Sequence, residues 1–248
     1  TTEIYTLSLH DALPIWHFAQ ALQAEDDRHQ VPPRTAFGNS RNRRPPPYIF
    51  SQEEIAKLIE AAGQLKPTGS VRPMMFATLF GLLAATGLRI SEALRLRLQD
   101  ISADGLMILE TKLNKSRLVP LHDTAHAALE RYLEARARTA TSTDALFVGV
   151  NGKAPGYDGV KDVFDRLVAA MGLQQARNGG LPHIHDLRHT LAVCSLERFR
   201  GNRNAISRHM TALSTYLGHT NVTGTYWYLD ATPVLLGQIA EAAETLHR

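Results

Sequence analysis

The stretch MMFATLFGLLAAT, residues 74–86, carries no charged side chain and is apolar on every side of a helix. It is far shorter than the ~20 residues that a membrane span needs, so we expect a helix in the middle of a protein core. Pro73 suits the start of that helix, and Gly87 is well placed to end it. The rest of the chain is expected to pack around this helix.

Helical patterns precede and follow this segment. Ser51 and Glu54, three residues apart, form a capping box that predicts a helix in SQEEIAKLIEAA. Another helix is predicted at about 89–98. From residue 122 onward the pattern is helical again, up to a closing helix with Pro233 in its first turn.

Strand signals occur in one region. Two short apolar runs, 106–110 and 116–121, each follow a turn pair, DG at 104–105 and NK at 114–115. This pattern indicates a small antiparallel sheet. The sequence therefore predicts a mainly α fold with a small antiparallel β-sheet.

The composition is that of an ordinary globular protein with a mild positive balance. Of the 248 residues, 44% are hydrophobic and 21% are charged; 27 Lys and Arg against 24 Asp and Glu leave a net charge of +3. This balance permits nucleic acid as a partner without requiring it. The single cysteine, Cys194, cannot form an internal disulfide, which suits a reducing cytoplasm, and we expect a small buried thiol.

The front of the chain differs in character from the rest. Residues 1–15 lack the features of a secretory signal and look like a translated sequencing adapter, so we expect them to be non-native. Residues 16–27 can form a short amphipathic helix, and residues 31–47, rich in Pro, Arg and Asn, form a linker. The linker is either a solvated hinge or a hinge that also lies across the phosphate groups of a nucleic acid. Its basic residues are Arg34, Arg41, Arg43 and Arg44.

Two segments place functional side chains three residues apart. In LRISEALR, Arg89 and Glu92 would share a helix face, where a routine ion pair is worth about 0.2–0.5 kcal/mol. In HIHDLRHT, His185 and Arg188 would also share a face. Two basic groups side by side repel each other unless something anionic lies between them. The second pair therefore favours an anion-binding site.

The HIHDLRHT segment also invites a metal hypothesis. Its histidines, His183, His185 and His189, resemble the ligand-rich stretch of metallo-hydrolases. However, Asp186 directly follows the second histidine, so the spacing is wrong, and the chain offers no clear set of further ligands. We expect no metal and no cofactor.

The stretch LGHTNVTGTYWYLD, residues 217–230, has two tyrosines that flank a tryptophan. These rings either fill a core with their polar ends at the surface, or one tyrosine hydroxyl does chemistry. A free tyrosine has a pKa of about 10 and needs a neighbouring base to act as a nucleophile. Two arginines, two histidines, a hairpin lysine and a late tyrosine suit attack on a phosphodiester, because arginine binds two phosphate oxygens at once.

Four motifs carry a specific resemblance. They are ATGLRISEALRLRLQDI (85–101), TKLNKSRLVPL (111–121), IHDLRHT (184–190) and LGHTNVTGTYWYLDATP (217–233). In this order they resemble the motif set of the tyrosine recombinases, the phage integrase family. The resemblance extends over residues 48–248 and implies the catalytic-domain fold of that family. Residues 16–47 would then be a remnant of the family's preceding DNA-binding domain with its basic linker.

The resemblance implies a role for each matching residue. Arg89 and Arg188 would hold the non-bridging oxygens of the scissile phosphate, and Glu92 would brace Arg89. His185 would handle the proton of the nucleophile. His219 would donate a further hydrogen bond to the phosphate.

The resemblance also implies the leaving-group acid and the nucleophile. Lys112 would protonate the leaving 5′ oxygen, with Lys115 as its nearest rival and a DNA-binding candidate; either could instead be a solvated turn lysine. The family's nucleophile lies nine residues after the last histidine of the motifs, which here is Tyr228. Tyr226 would be a packing residue, because on a helix the two tyrosines point about 200° apart.

The implied reaction is transesterification through a 3′-phosphotyrosyl link, which needs neither ATP nor a metal. The implied partner is double-stranded DNA, bound by a homo-tetramer on synapsed sites and by a monomer in free solution. No membrane is involved, and the implied location is the bacterial cytoplasm, at the nucleoid. Two alternatives stay open: a type IB topoisomerase-like nicking and closing enzyme, and a truncated integrase remnant that binds DNA without activity.

Overall fold

The computed structural model describes Gln23, Asp26 and residues 47–109, 116–173, 181–198 and 203–218. The chain divides into two units, Thr1–Pro45 and Pro46–Arg248, and every element below belongs to the second. The adapter-like segment, the arginines of the linker, the NK turn and the closing helix fall outside the described residues. So does the helix predicted over 16–27, except for two of its residues.

Within the described ranges the second unit is mainly helical and carries one small sheet. Its helices are α1 (Gln52–Gly63), α2 (Val71–Thr86), α3 (Ile90–Arg95), α4 (Asp123–Ala137), α5 (Tyr157–Ala170), α6 (Asp186–Glu197) and α7 (Arg203–Leu217). A 3-10 turn over Leu98–Asp100 precedes the strands β1 (Ile101–Ser102), β2 (Gly105–Ile108) and β3 (Arg117–Val119). The predicted fold class, mainly α with a small antiparallel sheet, is confirmed.

The capping box predicted at the start of α1 forms. The Ser51 Oγ accepts a hydrogen bond from the Glu54 N–H at 3.2 Å, and the Glu54 Oε2 accepts one from the Ser51 N–H at 2.8 Å. Both bonds satisfy backbone donors that have no partner inside the helix. The helix then buries Leu58 and Ala62 and packs against α2.

Helix α2 lies at the centre of the larger hydrophobic core, as predicted. Phe80 is fully buried, and the helix packs against α1, α4 and α6. It begins at Val71 rather than Pro73, because Ser70 caps it by accepting from the Arg72 N–H at 3.3 Å. Pro73 therefore lies in the first turn, where a missing N–H is tolerated. Among the helices that the structure describes, none is long and apolar enough to cross a membrane.

Helix α3 is shorter than predicted and ends at Arg95. The chain beyond it pairs with a distant loop, because the Leu146 N–H donates to the Leu96 carbonyl at 2.7 Å. Leu96 has extended backbone, with ψ near 139°, which a helix cannot accommodate. Tertiary pairing has therefore replaced the last turn of the predicted helix.

The three strands form an antiparallel sheet in the order β1-β2-β3. The sequence predicted β2 and β3 but not β1, which is only 2 residues long and has no pattern of its own. Leu106 pairs with Val119 and both are buried, whereas the neighbouring pair, Met107 and Leu118, is exposed. One face of the sheet therefore lies on the core and the other faces outward.

Cys194 lies on the surface of α6, so the prediction of a buried thiol is wrong. The helix buries Ala192, Val193 and Leu196 instead, and these side chains pack with Leu213 of α7. Successive residues on a helix are about 100° apart, so a neighbour of this buried stripe can point outward.

Gly87 ends α2 in the left-handed conformation with φ of 62°, as predicted. A Cβ on Gly87 would lie 2.7 Å from the Leu191 Cδ2 and 3.3 Å from the Leu217 Cδ2. We expect Gly87→Ala to lower the free energy of unfolding by about 1–3 kcal/mol, from the left-handed backbone and the crowding together. Urea unfolding followed by circular dichroism measures this change.

Gly63→Ala is the matched control for that substitution. Gly63 is the last residue of α1, and an added Cβ would meet nothing within 4 Å. Alanine there should leave the stability unchanged or raise it slightly, because alanine favours a helix. An equal loss of stability at both glycines would contradict the packing argument for Gly87.

Candidate active site

Arg188 lies in the first turn of α6 and is only 2% exposed. Its Nη1 donates to the Gly87 carbonyl at 2.7 Å, and its Nη2 donates to the Leu217 carbonyl at 2.6 Å. These bonds tie the start of α6 to the end of α2 and to the end of α7. They also fix the plane of the guanidinium.

The sequence predicted that Arg89 and Glu92 share a helix face. Instead, Arg89 precedes the helix that carries Glu92. Arg89 is the N-cap of α3, and its N–H donates to the Glu92 Oε2 at 2.9 Å. The side chains also meet, with the Arg89 Nη1 and the Glu92 Oε1 2.9 Å apart. One carboxylate therefore binds both the backbone and the side chain of Arg89, which fixes Arg89 more firmly than a routine helix-face pair.

The two arginines meet at the end of α7. Arg188 binds the Leu217 carbonyl, and the Arg89 Nη2 donates to the carbonyl of the next residue, Gly218, at 3.2 Å. Gly218 has a φ of 66°, so the chain turns there, immediately before His219. Two arginines that are far apart in the sequence therefore lie beside the turn at the start of the fourth motif.

His185 directly precedes α6 rather than lying within it. Its ring packs edge-to-face on the His189 ring, with 4.6 Å between centroids. Desolvation, followed by the positive charges of Arg188 and Arg89, lowers the pKa of His185 to about 4, and the charge of Glu92 opposes this shift. The side chain is also open to solvent, so water screens part of these interactions. At neutral pH the imidazole is therefore uncharged and able to accept a proton.

Glu92 has a second arginine partner, Arg117, which the motifs did not reveal. The Arg117 Nη1 donates to the Glu92 Oε1 at 3.2 Å, and its Nη2 donates to Oε2 at 2.9 Å. Burial by itself would raise the pKa of Glu92. Hydrogen bonds from Arg117 and from the Arg89 N–H, with the charges of both arginines, more than offset burial, so the pKa is lowered. Glu92 is therefore ionised at neutral pH and neutralises part of the positive charge of the site.

A strand pattern could have revealed Arg117. It lies two residues before Val119 on β3, and side chains two residues apart on a strand share a face. Because Val119 is buried, Arg117 points toward the core, where a charged side chain needs a charged or hydrogen-bonding partner. This pattern predicts that a carboxylate lies opposite β3, although it does not say which one.

Asp186 serves as an anchor for the backbone in front of α6. Its Oδ2 accepts from the His183 N–H at 2.7 Å, and the residue is 4% exposed. Burial raises the pKa of Asp186, and hydrogen bonds from the backbone of His183 and of Tyr48 oppose that rise. In the part of the chain that the structure describes, no group of three or more His, Cys, Asp or Glu is placed to hold a metal ion.

The structure brings together four of the predicted site residues, Arg89, Glu92, His185 and Arg188, through the bonds and charges given above. The other predicted residues lie outside the described ranges. They are Lys112, Lys115, His219, Tyr226, Tyr228, Arg34, Arg41, Arg43 and Arg44.

Comparison with known proteins places the chain in a family. A profile of the phage integrase family matches residues 49–233. A protein named as an integrase/recombinase, y4rB of Sinorhizobium fredii, is 35% identical over 235 residues, which are 92% of this chain and 74% of that protein. The tyrosine recombinase XerC of Oceanobacillus iheyensis is 31% identical over 198 residues, which are 77% of this chain and 59% of that protein.

A solved structure shares the fold. The Tn1549 transposon integrase in complex with transposon right end DNA has a TM-score of 0.65 and 18% sequence identity, over 98% of this chain and 81% of that one. The profile and the relatives confirm the resemblance carried by the four motifs, and they give no support to the topoisomerase alternative. The chain therefore belongs to the phage integrase family, the tyrosine recombinases, and is a site-specific DNA recombinase.

Proposed function

We propose that this chain cleaves and rejoins DNA with Tyr228 as the nucleophile and with a site for the scissile phosphate built around Arg89 and Arg188. The observation that carries the proposal is the meeting of these two arginines at neighbouring carbonyls, at the end of α7. Two planar guanidiniums suit a group with two non-bridging oxygens, because each can bind a pair of oxygens. The neutral imidazole of His185 completes this arrangement.

The proposed reaction is a transesterification. The Tyr228 oxygen attacks the phosphorus, the bond from phosphorus to the 5′ oxygen breaks, and a 3′-phosphotyrosyl link forms. His185 takes the phenolic proton, and Lys112 gives a proton to the leaving 5′ oxygen. His219 donates a hydrogen bond to the phosphate. The 5′ hydroxyl of a partner strand then attacks the link and restores the phenol, so the exchange consumes no ATP.

The charges of the described site fit this reaction. Arg89 and Arg117 both face the single carboxylate of Glu92, and Arg188 adds a third positive charge nearby. A phosphodiester carries one negative charge and gains a second as the pentavalent state forms. Preorganised donors in a partly buried site stabilise that added charge more than water does.

The partner of the site is DNA, which the Tn1549 integrase holds in its solved structure. Exchange between two duplexes cuts four strands, and each cut needs one tyrosine. We therefore propose four copies on synapsed double-stranded sites and a single copy in free solution. Residues 16–47 would contribute a remnant of a DNA-binding domain with its basic linker, and residues 48–248 the catalytic domain.

A suicide substrate tests the proposal. The substrate is a pool of nicked duplexes, selected from mixed sequences by binding to the protein, in which a short fragment beyond the cleavage site diffuses away and traps the cleaved strand on the protein. We expect a protein–DNA band that survives detergent and disappears on protease digestion. Binding of the pool without such a band would support instead the truncated remnant that binds DNA without activity.

His185→Asn should slow adduct formation by about 10²–10⁴-fold, because it removes the general base. The lowered pKa of His185, about 4, also sets the pH dependence of the wild type. The imidazole stays neutral as the pH falls through the ordinary histidine range, so the rate at subsaturating DNA should fall only at a lower pH. Single-turnover rates over a pH series, measured at subsaturating DNA, report both effects.

The control for this variant is His126→Asn. His126 lies on α4, where it pairs with Glu130 at 3.3 Å, outside the site. This variant should keep both the rate and the pH profile of the wild type. A wild-type rate that falls with a midpoint at the ordinary pKa of histidine would contradict the electrostatic account of His185.

A further inference from the structure

Arg117 lies on β3, and its side chain is only 14% exposed. It meets Glu92 at two points, with its Nη1 donating to Oε1 at 3.2 Å and its Nη2 donating to Oε2 at 2.9 Å. A two-point contact between a guanidinium and a carboxylate fixes the plane of both groups. Arg117 therefore helps to fix the orientation of the Glu92 carboxylate.

Arg89 and Arg117 both bind the Glu92 carboxylate. Oε1 accepts from the Arg89 Nη1 and from Arg117, and Oε2 accepts from the Arg89 N–H and from Arg117. Arg89 belongs to the start of α3, whereas Arg117 belongs to the sheet. Without Arg117 the carboxylate would be held by Arg89 alone, and the Arg89 side chain would lose its connection to the sheet.

Arg117 also supports the turn at Gly218. A Cβ on Gly218 would lie 3.0 Å from the Arg117 Nη1 and 3.4 Å from its Cζ, so the guanidinium packs directly on the Gly218 backbone. The carbonyl of this glycine accepts from the Arg89 Nη2 at 3.2 Å. Arg117 therefore contacts both groups that hold the Arg89 side chain in place.

Stability alone is a poor explanation for an arginine at this position. The Arg117 Nε is buried and, in the part of the chain that the structure describes, has no hydrogen-bond partner. A buried donor without a partner destabilises the fold, which offsets part of the stabilisation from the two bonds to Glu92. The arginine therefore points to a role in the neighbouring site.

We propose that Arg117 is a positioning residue for strand cleavage, which sets the Glu92 carboxylate and, through it, the guanidinium of Arg89. The inference rests on the proposed function, because Arg117 acts on the reaction only through Arg89. Its effect is on geometry: a misplacement of about 1 Å in a reacting site can cost on the order of 10²-fold in rate.

Adduct formation on the nicked duplexes, measured as a single turnover at saturating DNA, tests this role. We expect Arg117→Gln to slow the reaction by about 10- to 100-fold, while the affinity for DNA stays unchanged. Arg117→Lys keeps the charge but loses the two-point contact, so it should recover only part of the rate. Arg97→Gln is the matched control, because Arg97 pairs with Asp144 at 3.0 Å and its side chain is 57% exposed. This control should react at the wild-type rate.

A double variant separates positioning from an independent role. If Arg117 acts through Glu92, the combination of Arg117→Gln and Glu92→Gln should be no slower than the slower of the two single variants. If the rate losses of the two single variants multiply in the double variant, the inference is overturned. An Arg117→Gln variant that reacts at the wild-type rate would also overturn it. If Arg117→Gln does not fold, Arg117→Lys decides in the same way, since a folded lysine variant at the wild-type rate overturns the inference.

The same experiment distinguishes this inference from the proposed function. A wild-type adduct combined with unaffected Arg117 variants overturns the role of Arg117 alone. A wild-type chain that forms no adduct overturns the proposed function, and the inference with it.

Discussion

Tyr228→Phe is expected to abolish the covalent protein–DNA adduct, and Tyr226→Phe is expected to retain it. Without the phenolic oxygen of the nucleophile no phosphotyrosyl bond can form, so the loss should exceed ~10⁴-fold, as it does when other enzymes lose their nucleophile. Successive helical residues turn by about 100°, so Tyr226 and Tyr228 cannot both face one phosphate on a helix. Detergent-resistant adduct on the nicked duplexes measures the difference.

The two tyrosine variants serve as controls for each other. Each removes one hydroxyl from the same short segment, so a general loss of folding should affect both alike. DNA binding, measured by gel shift, should remain in both variants, because phosphate contacts by basic side chains dominate affinity. An adduct in Tyr228→Phe together with no adduct in Tyr226→Phe would reverse the assignment of the nucleophile.

Arg188→Ala should slow adduct formation by about 10²–10³-fold, which corresponds to ~3–4 kcal/mol of transition-state stabilisation, by analogy with the loss of one oxyanion donor. Arg188→Lys should recover little of this rate, because lysine offers a point charge in place of a planar fork. Both substitutions also break the bonds to the Gly87 and Leu217 carbonyls. We therefore expect each to lower the free energy of unfolding by about 1–3 kcal/mol.

Arg136→Lys separates the catalytic effect from the structural one. Arg136 is also a buried arginine, 7% exposed, and it donates to the carbonyls of Thr143, Ala145 and Leu146, away from the site. This variant should lose stability as Arg188→Lys does, yet its folded fraction should form adduct at the wild-type rate. Rates are compared at a temperature at which thermal unfolding shows all variants to be folded. An Arg188→Lys variant that cleaves at the wild-type rate would contradict the bidentate role.

The local features of the fold could be predicted because a few neighbouring residues specify them. The capping box of Ser51 and Glu54, the all-apolar helix and the left-handed Gly87 that ends it each depend on side chains within one or two turns of helix. The end of α3 could not be predicted in the same way. Its last predicted turn is lost to a bond between the Leu96 carbonyl and the distant Leu146 N–H, and helix propensity says nothing about that competitor.

Four residues of the candidate site could likewise be identified from local motifs, but their positions relative to the helices could not. The motifs singled out Arg89, Glu92, His185 and Arg188, and the structure connects them, but the sequence placed Arg89 and His185 on helices that they in fact precede. Arg89 is held by Glu92 and by the distant Gly218 carbonyl, whereas the His185 ring packs on His189, four residues further along the chain. The nucleophile and the hairpin lysine remain predictions carried by the motifs.

By itself the sequence determined the family and the helical scaffold, because motif order and hydrophobic period are properties of the chain alone. Only the tertiary structure decided how the charges of the site are balanced. Arg117 and Glu92 lie 25 residues apart in the sequence, and Arg89 and Gly218 lie 129 apart. A carboxylate shared by two arginines exists only where a helix start, a strand and a turn are packed together, and no local pattern encodes that packing.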